Sequence, residues 1–558
     1  MLGGVSLLYR PHSAGNYHSI AEETFRDLGL SELLKRIRIP EADIDALETA
    51  LRTAPVESAD LEYRFQVIRE LSDKPDLTRA LEGLLPVILE LHYYSRLPRT
   101  SPTGSRAPLL KAIWKLGELE LYVRSLEELS RILDRPLDSA GLLALREFIR
   151  RKEQEPIFLR LKEELPKIKR GLAGRQSLTL GINLDDHLRP IEAVIISVNE
   201  ERFVESGLAE RLFGTGDSDY SSTVPLKRNP VPENPDQYPE GFFPLAPLFE
   251  DLDRIVGKGA QELKSRIGLY MEVETGFLLR LRREIGVLCA AVRFQEQLKE
   301  LGMPTALPEF GAKGIAIRGL YNPHLVFRSS RGAQIIRNDF SAGGANPDLY
   351  LLTGPNQGGK TTYLQALGLV QSLANAGFPV PAEKAQLRAA TQVLTHFPKG
   401  EAGNILTGRF DEEASRLAEI IGAVKQTDRA SLLLLNEPLT STSHGEAEEI
   451  LSWILKGLNQ LGARGIIATH LHGLARKLAD RPAEFPGFGS LVARAHEKES
   501  GAVRTYRIES GCPSGRSYAK EIAERYGLTP DAIAEISSLR ASASDPERAD
   551  DRSSDRRG

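Results

Sequence analysis

A glycine-rich turn between a predicted strand and a predicted helix constrains the fold of this chain more than any other feature. The run Leu349–Thr353 is short and continuously apolar, as buried strands are. The residues after the turn read TTYLQAL and are typical of the first turns of a helix. Gly354, Gly359, Lys360 and Thr361 fit the phosphate-loop pattern G-x-x-x-x-G-K-[ST]. The alternative is a chance glycine-rich turn, but the strand before it and the helix after it favour a nucleotide site.

Phosphate binding explains why these residue types occur together. Glycines let backbone N–H groups surround a polyphosphate, and the N-terminus of the helix adds a favourable dipole. The ammonium group of Lys360 would reach the terminal phosphates of ATP, and the hydroxyl group of Thr361 would bind Mg²⁺. The predicted nucleotide-binding residues of this segment are Gly354, Pro355, Asn356, Gly358, Gly359, Lys360, Thr361 and Thr362.

Two further apolar runs end at residues suited to ATP hydrolysis. Residues 431–435 read SLLLL and lead to Asn436 and Glu437, of which Glu437 would polarise the attacking water. Asn436 stands near the Mg²⁺ position where an aspartate is usual, and its amide adds no negative charge, so we expect weaker Mg²⁺ affinity or slower turnover. Residues 465–469 lead to His470, which would sense the γ-phosphate or position the water. A solvated acid at a strand end is the alternative for Glu437.

Composition narrows the class of protein. A chain of 558 residues is too long for one ordinary core, so we expect about two to four domains. The apolar and charged fractions, 41% and 27%, are those of a soluble globular protein, and a net charge of −4 provides no global basic field. The two cysteines are far apart, which favours a reducing compartment. Without a predicted signal peptide or membrane-spanning run, we expect a cytoplasmic protein with no membrane partner.

Apolar periodicity changes three times along the chain. Helical spacing runs from about residue 19 to 165, and two predicted strands follow at 177–183 and 191–199. Prolines then crowd residues 214–247, which excludes regular structure there, and one long helical pattern resumes over 248–301. An elongated lever that carries a small β tip and an ordinary helical domain with an insertion both explain this pattern.

Several sequence blocks together resemble one known family. They are TGPNQGGKTTYL, NAGFPVPAEKAQL at 375–387, LLLLNEPLTSTS at 432–443, ATHLHGL at 468–474 and SGRSYAKEIAERYGL at 514–528. In order and spacing they are similar to the MutS family of DNA mismatch-repair ATPases. The resemblance is strong over about residues 315–535 and weaker over 20–300.

The resemblance implies an α plus α/β multidomain fold: a helical core and lever with an inserted β clamp, followed by a C-terminal P-loop, ABC-type α/β ATPase domain. The predicted divisions are a core and lever at 1–170, a clamp-like insertion with a proline-rich loop at 171–247, a returning lever helix at 248–310, the ATPase domain at 311–540 and a disordered tail at 541–558.

The resemblance also implies partners and further site residues. It implies a homodimer with two composite ATP sites, and a clamp around double-stranded or branched DNA that responds to ATP. Asn338 looks like the nucleotide-contacting asparagine of the family, and Tyr506 falls where the family tends to place a ring near adenine. Plain packing explains Tyr506 equally well.

This chain departs from the family at several points. We expect neither the domain that reads mismatches nor a Smr-type nuclease domain, so recognition of DNA structure is favoured over mismatches. In the signature segment that acts in trans on the partner's ATP, the family's serine is Gly408, while Phe410 and Glu413 fit. Arg409 is predicted to substitute as a charged contact, and a surface salt bridge to neighbouring acids is the alternative.

The sequence gives weak signals for DNA contact and leaves several functions open. Basic residues near the predicted clamp suit phosphate contacts, but interleaved glutamates also fit a solvated helix face; these residues are Lys167, Lys169, Arg170, Lys227 and Arg228. The first function is an ATP-dependent DNA clamp in repair or recombination. The second is the same motor acting on a ribonucleoprotein or protein partner. The third is a slow or non-hydrolysing nucleotide-gated scaffold. A transporter ABC ATPase is rejected because no LSGGQ-like signature precedes the acidic strand.

Overall fold

The computed structural model describes the backbone of residues 5–11, 13, 17–95, 108–172, 177–184, 186, 190–199, 258–311, 313–329, 334–398, 409–427, 429–498 and 501–511. Its α-helices are α1 Glu22–Asp27, α2 Leu30–Leu34, α3 Ile44–Arg52, α4 Ser58–Asp73, α5 Pro75–Ser95, α6 Pro108–Leu133, α7 Ala140–Gln154, α8 Pro156–Leu172, α9 Lys258–Gly268, α10 Gly276–Glu300, α11 Pro323–Arg328, α12 Lys360–Asn375, α13 Arg409–Lys425, α14 His444–Gln460 and α15 His472–Asp480. Its strands are β1 Tyr17–Ser19, β2 Thr53–Pro55, β3 Ser177–Leu184, β4 Pro190–Asn199, β5 Glu309–Phe310, β6 Ile315–Leu320, β7 Asn338–Ala342, β8 Leu349–Thr353, β9 Lys384–Leu387, β10 Gln392–His396, β11 Ser431–Asn436, β12 Arg464–Ala468, β13 Phe488–Lys498 and β14 Gly501–Ser510.

Long helices dominate the first of two compact units, which comprises residues 1–12 and 66–289. α6 packs against α5, α7 and α9, because its apolar residues are distributed around much of its surface. Between α8 and α9 the chain forms an antiparallel hairpin of β3 and β4, with Ser177 opposite Asn199. The two strands predicted from alternation are therefore confirmed. The proline-rich loop predicted at 214–247 lies outside the described residues.

The helical pattern predicted over 248–301 differs in the structure. α9 and α10 are separate helices, and residues 269–275 form a turn between them. Tyr270 is fully buried at this turn, and its hydroxyl group donates a 2.8 Å hydrogen bond to Glu164 on α8. Thr275, which precedes α10, donates to Glu118 on α6. These tertiary contacts hold the turn, and apolar spacing alone carries no sign of them.

A six-stranded sheet organises the second unit, which comprises residues 13–65 and 290–558. The strand order is β10-β11-β12-β8-β13-β14, in which the first five strands are parallel and β14 is antiparallel to β13. Every residue of β8 and β11 is buried, as expected for central parallel strands covered on both faces. The same unit contains a smaller, four-stranded sheet with the strand order β5-β9-β6-β7.

Parallel pairing brings three loops to one edge of the large sheet. β8, β11 and β12 are neighbours, so the loops after their carboxyl ends meet. Open α/β sheets bind ligands at this edge. The predicted phosphate loop, Glu437 and His470 follow these three strands in turn.

The N-terminal segment 13–65 belongs to the same unit as this sheet. It contains α1 to α3 and a short antiparallel pair of β1 and β2. The sequence grouped residues 1–170 as one helical region, because helical periodicity does not show which neighbour a helix packs against. None of the described helices is long and apolar enough to cross a membrane.

Candidate active site at the carboxyl edge of the sheet

Two glycines shape the loop between β8 and α12. Gly354 has a φ of 144°, and a Cβ added there would lie 2.7 Å from the Ala493 Cβ and 3.0 Å from its carbonyl oxygen. Gly359 has a φ of 92° and immediately precedes α12. Residues with a Cβ atom rarely adopt such positive φ angles, so the backbone of the loop requires glycine at both positions.

Lys360 is the first residue of α12, and its side chain is turned into the site. It is 5% exposed, and its Nζ donates to the carbonyl oxygens of Gly354 at 3.0 Å and Pro355 at 3.4 Å. Nζ also lies 3.8 Å from Glu437 Oε1. Burial lowers the pKa of the Lys360 ammonium group, and the negative charge of Glu437 opposes this shift. A buried cation therefore stands beside the glycine-rich loop.

Glu437 and His470 contact each other where β11 and β12 end. His470 Nε2 lies 2.8 Å from Glu437 Oε1 and 3.3 Å from Lys360 Nζ. A ring nitrogen of neutral histidine donates a hydrogen bond if it carries the proton and accepts one if it does not. The shorter contact of Nε2 is with a carboxylate, which can only accept, so we assign the proton to Nε2. The hydrogen bond from His470 lowers the pKa of Glu437, and the charge of the nearby Lys360 ammonium group lowers it further. The carboxylate is therefore ionised near neutral pH and able to accept a proton.

The backbone around Glu437 is fixed in an uncommon conformation. Its φ is 51°, and its N–H donates to the carbonyl oxygen of Ala468 at 2.8 Å. Leu439 also has a positive φ, 63°, and its side chain is buried in the core. Strain of this kind is held where surrounding structure determines the geometry, and it often marks functional sites.

Thr361 and Asn436 meet beside this cluster. The Thr361 hydroxyl group donates to Asn436 Oδ1 at 3.3 Å. Among the residues that the structure describes, no group of three or more His, Cys, Asp or Glu side chains could hold a metal ion. Mg²⁺ commonly binds through few protein ligands and the phosphates of its substrate. A hydroxyl group and an amide at this position fit that kind of site better than a metal cage.

Asn338 and Tyr506 are two further residues of the candidate site, and they contact each other. Asn338 Nδ2 donates to the Tyr506 carbonyl oxygen at 3.1 Å, and its Oδ1 accepts from the Ile508 N–H at 2.8 Å. Tyr506 has a φ of 55° and is 48% exposed. A Cβ added at Gly359 would lie 3.4 Å from Tyr506 Cδ1, so the ring lies beside the loop. Asn338 thus contacts the strand that carries Tyr506, a contact that sequence alone did not show.

Most of these residues line a cavity of about 470 Å³. Gly354, Asn436 and His470 were also predicted as site residues, but they are not among the residues that line it. The predicted residues that line it are Asn338, Pro355, Asn356, Gly358, Gly359, Lys360, Thr361, Thr362, Glu437 and Tyr506. Sequence reasoning missed a second set of lining residues, which includes Tyr321, Asn322, Leu325, Ile335 and Ile336. A helix-start signal was available for part of this set, because Asn322 caps α11 with Pro323 after it. Nothing in that signal indicated a cavity.

The helix α13 carries the predicted trans signature. Phe410 packs against the core cluster beside the sheet, and only the backbone of Arg409 is described. Glu413 accepts hydrogen bonds from the Thr440 hydroxyl group and from the Ser441 N–H, each at 3.3 Å. α13 is thereby joined to the loop that follows Glu437.

The predicted DNA-contacting residues are only partly described. Lys167 pairs with Glu163 at 2.6 Å, and Lys169 pairs with Glu120 at 2.5 Å, both on exposed surface. Exposed ion pairs of this kind contribute little free energy, so they do not prevent the two lysines from contacting phosphates. The Arg170 side chain, Lys227 and Arg228 lie outside the described residues.

Comparison with known proteins assigns the chain to a family. The family model for MutS domain V matches residues 350–542, and the model for the MutS2 N-terminal domain matches residues 57–301. The chain belongs to the MutS family. The MutS domain V match contains the Lys360, Glu437 and His470 cluster described above.

Individual relatives match only part of their length. This MutS-family chain is 29% identical over 260 residues to "DNA mismatch repair protein MutS" of Thermus thermophilus, covering 46% of the chain and 30% of the relative. It is 28% identical over 232 residues to the protein of that name from Sorangium cellulosum, covering 41% and 24%. It is 33% identical over 196 residues to "Endonuclease MutS2" of Thermomicrobium roseum, covering 34% and 23%. The chain thus spans less than a third of each of these relatives.

Proposed function

We propose that this MutS-family protein binds and hydrolyses Mg²⁺-ATP in the cavity beside the 354–359 loop. The observation that supports this most is the contact of Lys360, Glu437 and His470 at one sheet edge, with Thr361 and Asn436 beside them. In this proposal, residues 311–540 form a P-loop ATPase domain, and the protein acts in the cytoplasm. The family match supports ATP as the nucleotide.

Each residue then has a distinct task in hydrolysis. Lys360 turns from the loop carbonyls to the β- and γ-phosphates, whose charge compensates for its burial. Glu437 accepts a proton from the attacking water, and His470 orients that carboxylate. Thr361 and Asn436 would hold Mg²⁺, which when bound neutralises charge on the phosphates. Tyr506 would exclude water around the adenine ring, together with the apolar lining residues Tyr321, Leu325, Ile335 and Ile336.

The hydrolysis cycle would control a clamp on DNA. We infer a homodimer in which α13 of one subunit completes the ATP site of the other, with Arg409 and Phe410 at the contact. The β3–β4 hairpin and its flanking helices would form a clamp around double-stranded or branched DNA, and Lys167 and Lys169 would contact phosphates. The names of the relatives support DNA repair as the setting. Recognition of DNA structure, rather than mismatches, is part of this proposal.

A second candidate is a slow or non-hydrolysing nucleotide-gated scaffold that acts on a ribonucleoprotein or protein. Asn436 favours it, since an amide beside Thr361 adds no charge to hold Mg²⁺.

Steady-state ATPase assays with and without DNA test these functions. Linear, mismatched and four-way-junction duplexes of equal length are compared over a series of salt concentrations. The clamp predicts turnover stimulated by DNA and weakened by salt, strongest on one structure. ATP binding without turnover on any DNA would contradict it and favour the scaffold.

Replacing Asn436 by aspartate should strengthen Mg²⁺ binding. The new carboxylate would lie beside the Thr361 hydroxyl group, where it adds negative charge. Residues near a metal typically change its affinity by about 10- to 100-fold. We therefore expect the Mg²⁺ concentration for half-maximal activity to fall about tenfold, a free-energy change of about 1.4 kcal/mol. Titrating Mg²⁺ at saturating ATP measures it, with Asn436→Ala as a control that should shift the other way.

Replacing Tyr506 by alanine should weaken ATP and ADP binding equally. Stacking of a base on an aromatic ring contributes about 1–3 kcal/mol, and the ring contacts no phosphate in this proposal. Asn338→Ala should reproduce part of the loss, because Asn338 holds the Tyr506 backbone. Fluorescent ATP and ADP titrations measure both affinities. A loss confined to ATP would contradict a base contact.

A further inference from the structure

Side chains cover the outer edge of the six-stranded sheet at β10. The Thr24 hydroxyl group on α1 donates to the Val393 carbonyl oxygen at 3.2 Å. From α13, Arg416 donates to the carbonyl oxygens of Thr395 at 3.2 Å and Phe397 at 3.5 Å. Exposed strand edges leave carbonyl groups without a partner, and here α1 and α13 satisfy two carbonyl groups of β10 and a third on the residue that follows it. The two helices therefore approach the same strand.

Asp27 and Arg416 join these helices directly. Arg416 Nη2 donates to Asp27 Oδ2 at 2.5 Å, and the Thr395 hydroxyl group donates to the same oxygen at 2.8 Å. The exposed fractions are 7% for the Asp27 side chain and 13% for that of Arg416. A buried and hydrogen-bonded ion pair is directional, and loss of one partner leaves the other charge buried alone.

The same end of α1 also contacts the helix of the phosphate loop. Gln365 on α12 donates to the Asp27 carbonyl oxygen at 3.1 Å. A Cβ added at Gly368, also on α12, would overlap the Leu28 side chain. His324 Nε2 lies 3.0 Å from the Leu28 carbonyl oxygen. Residues 27 and 28 thus contact α12 on one side and α13 on the other.

We propose that Asp27 and Arg416 are positioning residues that set α13 relative to α12. This rests on the proposed function, in which α12 begins at the ATP site of its own subunit and α13 completes that of the partner. Neither residue touches the cavity. Their pairing determines where the N-terminus of α13 lies, and therefore how well each subunit completes the hydrolytic site of the other.

Steady-state kinetics of the full-length protein test this role. Asp27→Asn and Arg416→Gln should each lower kcat at least tenfold, while KM and the affinity for ATP stay within threefold of wild type. The double variant removes both charges and leaves no ion unpaired, so it should recover the wild-type melting temperature but not kcat. The control is Arg481→Gln, which breaks the exposed pair of Arg481 with Glu484 in the same unit. It should change kcat less than twofold.

Hydrogen exchange of the same variants gives a readout that needs no turnover. Amides of α13 should exchange at least tenfold faster in Asp27→Asn, whereas those of β11 should keep their wild-type rates. Unchanged exchange in α13, or recovery of kcat together with melting temperature in the double variant, would overturn the positioning role. If wild type hydrolyses no ATP, the proposed function fails, and exchange in α13 still decides whether the pair positions this helix.

Discussion

Replacing Glu437 by glutamine should lower the rate of ATP hydrolysis by at least about 100-fold, because general base catalysis typically contributes that much. The glutamine carbonyl oxygen still accepts the 2.8 Å hydrogen bond from His470, so the geometry of the site is kept. What is lost is a carboxylate that can take a proton. ATP affinity should stay within a few-fold of wild type, because Lys360 and the 354–359 loop are unchanged.

Single-turnover hydrolysis measures this effect best. Release of product sets the steady-state rate of many enzymes and would hide a change in chemistry. The matched control is Glu449→Gln on the exposed side of α14, which removes a carboxylate of the same unit away from the cavity. A single-turnover rate within tenfold of wild type in Glu437→Gln would exclude Glu437 as the base and leave His470 as the next candidate.

The sequence predicted the strands and loops of this site well because each depends on local signals. Continuous apolar runs identified β8, β11 and β12, since central parallel strands are buried on both faces. The order of these strands in the sheet, β11-β12-β8, comes from the structure and not from their order along the chain. Once they are neighbours, their carboxyl ends lie together, and this brings Lys360 into contact with Glu437 and His470.

Features that depend on tertiary contacts could not be predicted from local sequence patterns. Periodicity over 248–301 gave no sign of the turn that buries Tyr270, because a buried tyrosine at a turn and one on a helix look alike in sequence. Asp27 is one acid in a short helix 389 residues before Arg416 in sequence, and only the fold brings the two together. Asn338 was predicted to contact nucleotide, and this stays a prediction. It lines the cavity, and its amide group is also bonded to the β14 backbone, a tertiary contact that no local pattern encodes.

Replacing Lys360 by methionine should abolish most ATP binding without destabilising the fold. Hydrogen bonds to charged groups contribute about 1.5–3 kcal/mol, so we expect the affinity for ATP to fall about 10- to 100-fold. Stability should not fall, because burial lowers the pKa of Lys360 and so opposes its charged form in the folded state. Methionine has a similar length and needs no hydration. Glu437 keeps its 2.8 Å contact with His470, so no carboxylate is left alone.

Thermal unfolding with and without Mg²⁺-ATP measures both consequences of Lys360→Met in one experiment. A ligand at 100 times its Kd stabilises the folded state by about 2.7 kcal/mol, so wild type should melt at a higher temperature with ATP. The variant should melt no lower than wild type without ATP and gain little when ATP is added. The size of the stability difference depends on pH. A lysine with a lowered pKa costs stability while it is protonated, and this cost disappears as pH rises toward the ordinary pKa of 10.5. The advantage of the methionine variant should therefore shrink between neutral and alkaline pH. A variant that melts lower at pH 7 but keeps its ATP-dependent shift would show that Lys360 stabilises the loop instead of binding phosphate.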